Sequence, residues 1–127
     1  MLTELTIKDF ISKVISNDPV PGGGSVSALN GALAAALSAM VANLTVGRKK
    51  YAEVNDLMQE LSTRFEKLSQ KLIEDVDRDS DAYNRVFAAF KLPKETDEEK
   101  QLRSEAIQKE TKYAAQVPME VARAVYE

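Results

Sequence analysis

Apolar positions recur at intervals of three and four along the whole chain and nowhere alternate long enough to signal a strand, so the pattern predicts an all-α protein. Thr6 with Asp9 makes a weak capping box ahead of Phe10, Val14 and Ile15, a short helix that Asp18-Pro19 stops. From about Ser25 to Val46 a second helix carries Val26, Leu29, Leu33, Leu37, Met40, Val41 and Leu44 in one stripe, with Gly47 placed to cap it. Beside the stripe Ala28, Ala32 and Ala36 recur every four positions, as do Gly31, Ala35 and Ala39, so neighbours can approach closely on more than one side. This Ala-rich helix is expected at the centre of a helical bundle. Because it is apolar nearly all round in a small chain, it also predicts a helix-mediated homo-oligomer. A third helical segment, from about Tyr51 to Phe90, is long enough to bend, and Leu92-Pro93 ends it. Thr96 and Glu99 form the capping box of a fourth helix, which Pro118 should kink or break. The chain stops at Glu127 inside an apolar periodic segment, so it reads as one domain over residues 1–127 that lacks its C-terminal helices.

Charge and composition narrow the chemistry. Lys and Arg number 17 against 20 Asp and Glu, and a net charge of −3 argues against nucleic acid as a partner. Cysteine and histidine are both absent, which removes thiolate sites and the commonest general base and metal ligand. Acid/base work must then fall to carboxylates, Lys or Tyr. No charge occurs between Pro19 and Gly47, yet Asn30, Ser38, Asn43 and Thr45 interrupt that stretch, so it reads as a buried helix with no membrane partner. Glu4, Lys8 and Asp9 near the start give no signal-peptide pattern, and a cytoplasmic location is the default.

Two places invite chemistry. The run Pro21-Gly22-Gly23-Gly24-Ser25 is a flexible turn feeding the second helix, either as a plain helix start with Ser25 as N-cap or as a site where backbone approaches a ligand. Asp75, Asp77, Asp79 and Asp81 alternate along the third helix. On a wheel centred at Val76, with Phe65, Leu72, Tyr83, Phe87 and Phe90 clustered near it, Asp77 and Asp81 fall roughly 100° to 140° away, on the solvated side. Asp79 falls at about −60° and interrupts the apolar stripe. A carboxylate there is either a candidate general acid/base or the partner of Arg48, Lys49 or an Arg of another helix, and Asp75 at the opposite margin is the weaker candidate. Arg48, Lys49 and Lys50 complement the dipole at the end of the second helix or clamp an anionic ligand, with Tyr51 beside them to stack on a planar ring or simply to pack. The charged stretch from Lys94 to Glu110 reads as a solvated face.

The blocks PGGGSVSALNGALAAALSAMVANLTVGRKKY, DVDRDSDAYNRVFAAFKLPK and VPMEVA, in this order and spacing, resemble the cyclodeaminase domain of formiminotransferase-cyclodeaminase across nearly the whole chain. The resemblance implies an all-helical fold that forms a homodimer. It also implies a tetrahydrofolate site built from Pro21, Gly22, Gly23, Gly24 and Ser25 together with Arg48, Lys49 and Tyr51, with no metal and no cofactor beyond the folate substrate. The family's D-x-D-A pattern implies Asp79 as the catalytic acid, with Asp77 as the first acid of the pair. Ser80 stands where the family often shows alanine, a departure expected to leave the chemistry unchanged. The reaction expected first is cyclodeamination of 5-formimidoyltetrahydrofolate to 5,10-methenyltetrahydrofolate with release of ammonia. The alternatives are a methenyltetrahydrofolate cyclohydrolase giving 10-formyltetrahydrofolate, and a non-catalytic helical binding or oligomerisation module.

Overall fold

The computed structural model describes residues 1–127 and contains helices only. A 3₁₀ turn at Leu2–Glu4 precedes α1 (Ile7–Ile15) and α2 (Gly23–Thr45), and a second 3₁₀ segment, Lys49–Val54, leads into α3 (Asn55–Phe90) and α4 (Asp97–Tyr126). The caps fall where local chemistry put them. Thr6 Oγ1 accepts the Asp9 N–H at 3.1 Å, and Thr96 Oγ1 accepts the Glu99 N–H at 3.1 Å while Glu99 accepts the Thr96 N–H at 3.2 Å. Both pairs satisfy amides that a helix start leaves without partners.

The spine of the molecule is α3, not the Ala-rich helix expected at the centre. Both α2 and α4 pack along α3 and touch each other little. The reason lies in the two faces of α2. Its buried residues are small, namely Ser25, Ala28, Ala32, Ala35, Ala39 and Ala42, and they let the backbones of α2 and α3 come close enough for Ser69 Oγ to donate to the Ala32 carbonyl at 2.9 Å. The large residues of the stripe point the other way: Leu33, Leu37, Met40, Val41 and Leu44 are each about half exposed or more. The core proper gathers Phe10, Ala28, Ala32, Leu72, Val76 and Val121. By length and composition α2 is apolar enough to cross a membrane, with mean hydropathy 1.6 over its most apolar stretch, but its small-residue face is packed on α3.

Three further expectations change. Helix α4 runs unbroken through Pro118 to Tyr126, because the buried Val117 and Val121 on either side anchor both halves to the core. The third helix starts at Asn55 rather than Tyr51, whose φ of −117° and ψ of 24° fall outside the helical range. Tyr83, Phe87 and Phe90 do not join Val76 in the core and are 42%, 51% and 53% exposed, since the end of α3 overhangs the start of α2. Gly47 lies one residue beyond the C-cap Val46, at φ +78°, a value that favours glycine, and turns the chain so that its N–H donates to Asn55 Oδ1 at 2.8 Å.

Candidate active site

The N-terminal turn of α2 meets α3 around Asp79. Gly22 is the N-cap and the helix begins at Gly23, so Ser25 is not a cap; it sits inside the first turn and reaches across to α3. Ser25 Oγ lies 2.7 Å from the Val76 carbonyl, 2.7 Å from Ser80 Oγ and 3.3 Å from Asp79 Oδ2. A Cβ on Gly24 would overlap the Asp79 carboxylate, whereas one on Gly23 would meet nothing within 4 Å. The glycine run therefore has a physical reason at one position: the backbone at Gly24 lies directly against a carboxylate. That carboxylate is half-buried and sits at the positive end of the α2 dipole, where a negative charge is favoured. A groove of about 840 Å³ opens beside Gly24, lined by Gly23, Gly24, Ser27 and Asn30 on one side and Pro118 and Ala122 on the other, with Asp79 outside its lining.

The other aspartates take different roles. Asp77, expected in solvent and as the first acid of a catalytic pair, spends both oxygens on the N-terminus: Oδ1 accepts the Leu2 N–H and Oδ2 the Thr3 hydroxyl, each at 2.6 Å. It clamps the first 3₁₀ turn to α3, a tertiary contact that no helical wheel reports. Asp81 is exposed, as its wheel position predicts. The deeply buried acid is Asp75, 2% exposed, with Lys71 Nζ at 3.0 Å and an Arg78 nitrogen at 3.4 Å. Arg78 continues the network to α4 through Glu120. Burial pushes the Arg78 guanidinium toward losing its proton, but the hydrogen bond to Glu120 and the charges of Asp75 and Glu120 outweigh it and hold its pKa above the ordinary value. The same hydrogen bond, followed by one from Gln116, draws Glu120 below its ordinary value. Arg78 Nε is buried without a partner of its own.

The basic segment does not join this site within one chain. Arg48 caps α2 from its far end, its Nε donating to the Leu44 carbonyl at 2.7 Å, and Lys50 lies 5.5 Å from the Tyr51 ring centre. Helix α2 has 23 residues, which at 1.5 Å each puts Arg48, Lys49 and Tyr51 about 34 Å from the glycine turn. Asp79 consequently has no ion pair with Arg48 or Lys49. Sequence reasoning set Ser80 aside as a departure without consequence, yet it is 5% exposed and bonded to Ser25. The available signal was its place about 40° from Val76 on the wheel, on the apolar side of α3.

The family model for formiminotransferase-cyclodeaminase matches residues 6–127. Methenyltetrahydrofolate cyclohydrolase of Methylorubrum extorquens is 42% identical over 118 residues, 93% of this chain and 57% of that protein. Formimidoyltransferase-cyclodeaminase of Rattus norvegicus is 36% identical over 124 residues, 98% of this chain and 23% of that protein. The crystal structure of formiminotetrahydrofolate cyclodeaminase from Thermotoga maritima superposes with a TM-score of 0.81 at 34% identity, covering 98% of this chain and 58% of that one. This chain thus spans little more than half of the shorter relatives and under a quarter of the rat protein. With the match running from the first helix to the last residue, the chain belongs to the formiminotransferase-cyclodeaminase family.

Proposed function

We propose that this protein is a cytoplasmic enzyme of folate one-carbon metabolism that cyclises 5-formimidoyltetrahydrofolate to 5,10-methenyltetrahydrofolate and releases ammonia. N10 of the substrate attacks the carbon of the protonated formimidoyl group, Asp79 takes the N10 proton and passes it to the resulting amino group, and the C–N bond breaks to release ammonia and leave the methenyl cation. Electrophile and nucleophile already share one molecule, so the protein must chiefly hold them in attacking geometry and move one proton. The proposal calls on no cofactor beyond the folate itself. What supports the role of Asp79 is its contact with Gly24, which leaves a half-buried carboxylate against open backbone with a single hydroxyl for a partner.

The site is completed by a second copy. The basic segment after α2 and the glycine turn before it lie about 34 Å apart in one chain, and the face between them is uncovered from Leu33 to Leu44. That face continues into an apolar groove of about 500 Å³ between α1 and α2. Pairing two copies antiparallel along this face sets Arg48, Lys49 and Tyr51 of each beside the glycine turn of the other. The cations then hold the glutamate tail of the folate, and the Gly22–Ser25 backbone takes the pteridine or its linker.

A second reading keeps the site and changes the reaction: water, losing a proton to Asp79, attacks the methenyl carbon, the bond from that carbon to N5 breaks, and 10-formyltetrahydrofolate forms. The 42% identity to a relative named methenyltetrahydrofolate cyclohydrolase favours it. Assaying both substrates separates the two, because cyclodeamination creates the methenyl chromophore and hydrolysis destroys it. The shared site is tested by mixing an inactive Asp79→Asn protein with an inactive Arg48→Ala/Lys49→Ala protein. One intact site in each mixed dimer should restore about a quarter of wild-type turnover. No recovery after subunit exchange would rule out sharing, and loss of neither substrate by the wild type would leave the non-catalytic module standing.

A further inference from the structure

Ser25 is fully buried, and its hydroxyl faces three oxygens: the Val76 carbonyl at 2.7 Å, Ser80 Oγ at 2.7 Å and Asp79 Oδ2 at 3.3 Å. A serine hydroxyl has one proton to give, so the three cannot all receive it. Were it given to Ser80, the Val76 carbonyl and the Asp79 carboxylate would both face bare lone pairs, an arrangement that burial makes costly. The better order has Ser80 donating to Ser25, the one side-chain hydrogen bond that Ser80 makes, and Ser25 donating onward. A fixed donation from Ser80 polarises the Ser25 O–H and strengthens whichever onward bond it makes.

The two onward acceptors differ in kind. The Val76 carbonyl is the same throughout a reaction, whereas Asp79 loses its charge whenever it takes a proton. A charged carboxylate draws the Ser25 proton, and a protonated one needs it less than the carbonyl does. Rotation about a single C–O bond moves the donor between them, so no buried hydroxyl is stranded at either stage.

We propose that Ser25, held by Ser80, is a positioning residue for Asp79, its proton turning to the carboxylate when Asp79 is charged and to the Val76 carbonyl when Asp79 is protonated. The inference rests on the reading of Asp79 as the group that moves protons. It assigns Ser80 a part in the chemistry that its place next to the acid did not announce.

The test compares kcat and KM on the two folate substrates for Ser25→Ala, Ser80→Ala, the double variant and Asp79→Asn. Ser25→Ala should lower kcat about tenfold with KM within about twofold of wild type, and Ser80→Ala about threefold. The double variant should be no worse than Ser25→Ala, because Ser80 acts only through Ser25. Additive losses, or a change confined to KM, overturn the proposal. The Ser25 hydroxyl proton, sheltered from exchange, supplies a readout by proton NMR that needs no turnover: its resonance should move on Asp79→Asn and on Ser80→Ala. A resonance indifferent to Asp79→Asn overturns the proposal as well. Should Ser25→Ala fail to fold, Ser80→Ala carries both measurements. Full turnover in Asp79→Asn removes the reading of Asp79 itself, whereas an inactive Asp79→Asn beside unaffected serine variants removes only the role of the serines.

Discussion

Asp75 and Asp79 stand four residues apart on α3, about 6 Å along its axis, and the packing around them differs in every respect that matters for proton transfer. Asp75 is 2% exposed and shares its charge with Lys71 and Arg78, and through Arg78 with Glu120 on α4. Asp79 is half-buried, has no cation within ion-pair distance and has one hydroxyl at 3.3 Å. Depth of burial alone would choose Asp75. A carboxylate fixed between two cations holds a fold together, since removing it strands their charge. A carboxylate set against open backbone with a weak partner keeps freedom to take and give a proton. Proximity to Gly24, not depth, is what distinguishes the candidate catalyst.

The largest effect should come from removing Asp79. Asp79→Asn is expected to lower turnover by about 10²- to 10⁴-fold, the usual worth of a positioned acid/base group, while the melting temperature stays near wild type. Asp75→Asn should do the reverse. If the Asp75 variant is the inactive one and folds normally, the two roles must be exchanged.

Gly24→Ala sharpens the same contrast without touching either acid. The new Cβ forces the Asp79 carboxylate away from Ser25, and displacement on the order of 1 Å costs about 10²-fold in rate. Gly23→Ala is the matched control, because its Cβ meets nothing within 4 Å. It should leave kcat near wild type, with any loss confined to KM because Gly23 lines the groove, and raise stability by about 0.5 kcal/mol. Equal losses from both variants would mean that the turn acts through flexibility rather than through contact with Asp79.

Asp75→Asn leaves Lys71 and Arg78 facing a neutral amide. A fully enclosed pair would cost more, but Lys71 is half exposed and Arg78 a third exposed, so solvent repays part of the loss. The expected destabilisation is about 2 kcal/mol in denaturant unfolding, with turnover within a few-fold of wild type. A change below the error of the measurement would make this network incidental to the α3–α4 contact.

Much of this contrast was written in local spacing, and some of it was not. The caps at Thr6 and Thr96 follow from residues three apart, but the wheel set Asp79 inside the apolar stripe and Asp75 at its margin, whereas Asp75 is the buried acid and Asp79 only half-buried. Lys71 and Arg78 stand at i−4 and i+3 from Asp75, so its ion pairs were also open to reading from helix spacing. Long-range contacts were closed to it. The clamp of Asp77 on Leu2 and Thr3 joins residues some seventy-five positions apart, and Glu120 reaches Arg78 from another helix. Hydrophobicity likewise could not say which side of α2 would meet α3. Side-chain size decided it, since only the small-residue face admits a close partner. The separation of the basic segment from the glycine turn needed only the length of α2, which its apolar run already displayed.

The smallest effect concerns the outer end of the Asp75 network. The hydrogen bond from Arg78, and then that from Gln116, lowers the Glu120 pKa from its ordinary value of 4.5. A carboxylate with a depressed folded-state pKa contributes stability above its unfolded value and loses it as pH falls through the folded one. Wild-type protein should therefore lose part of the α3–α4 contact below about pH 4.5, whereas Glu120→Gln should start slightly less stable at neutral pH and converge with wild type in acid. Glu120 is partly exposed, so salt should shrink the gap at neutral pH. Unfolding curves recorded from pH 7 to pH 3 check this. Curves that stay parallel would show that Arg78 answers to Asp75 alone, and the structural half of the comparison would then rest on a single buried acid.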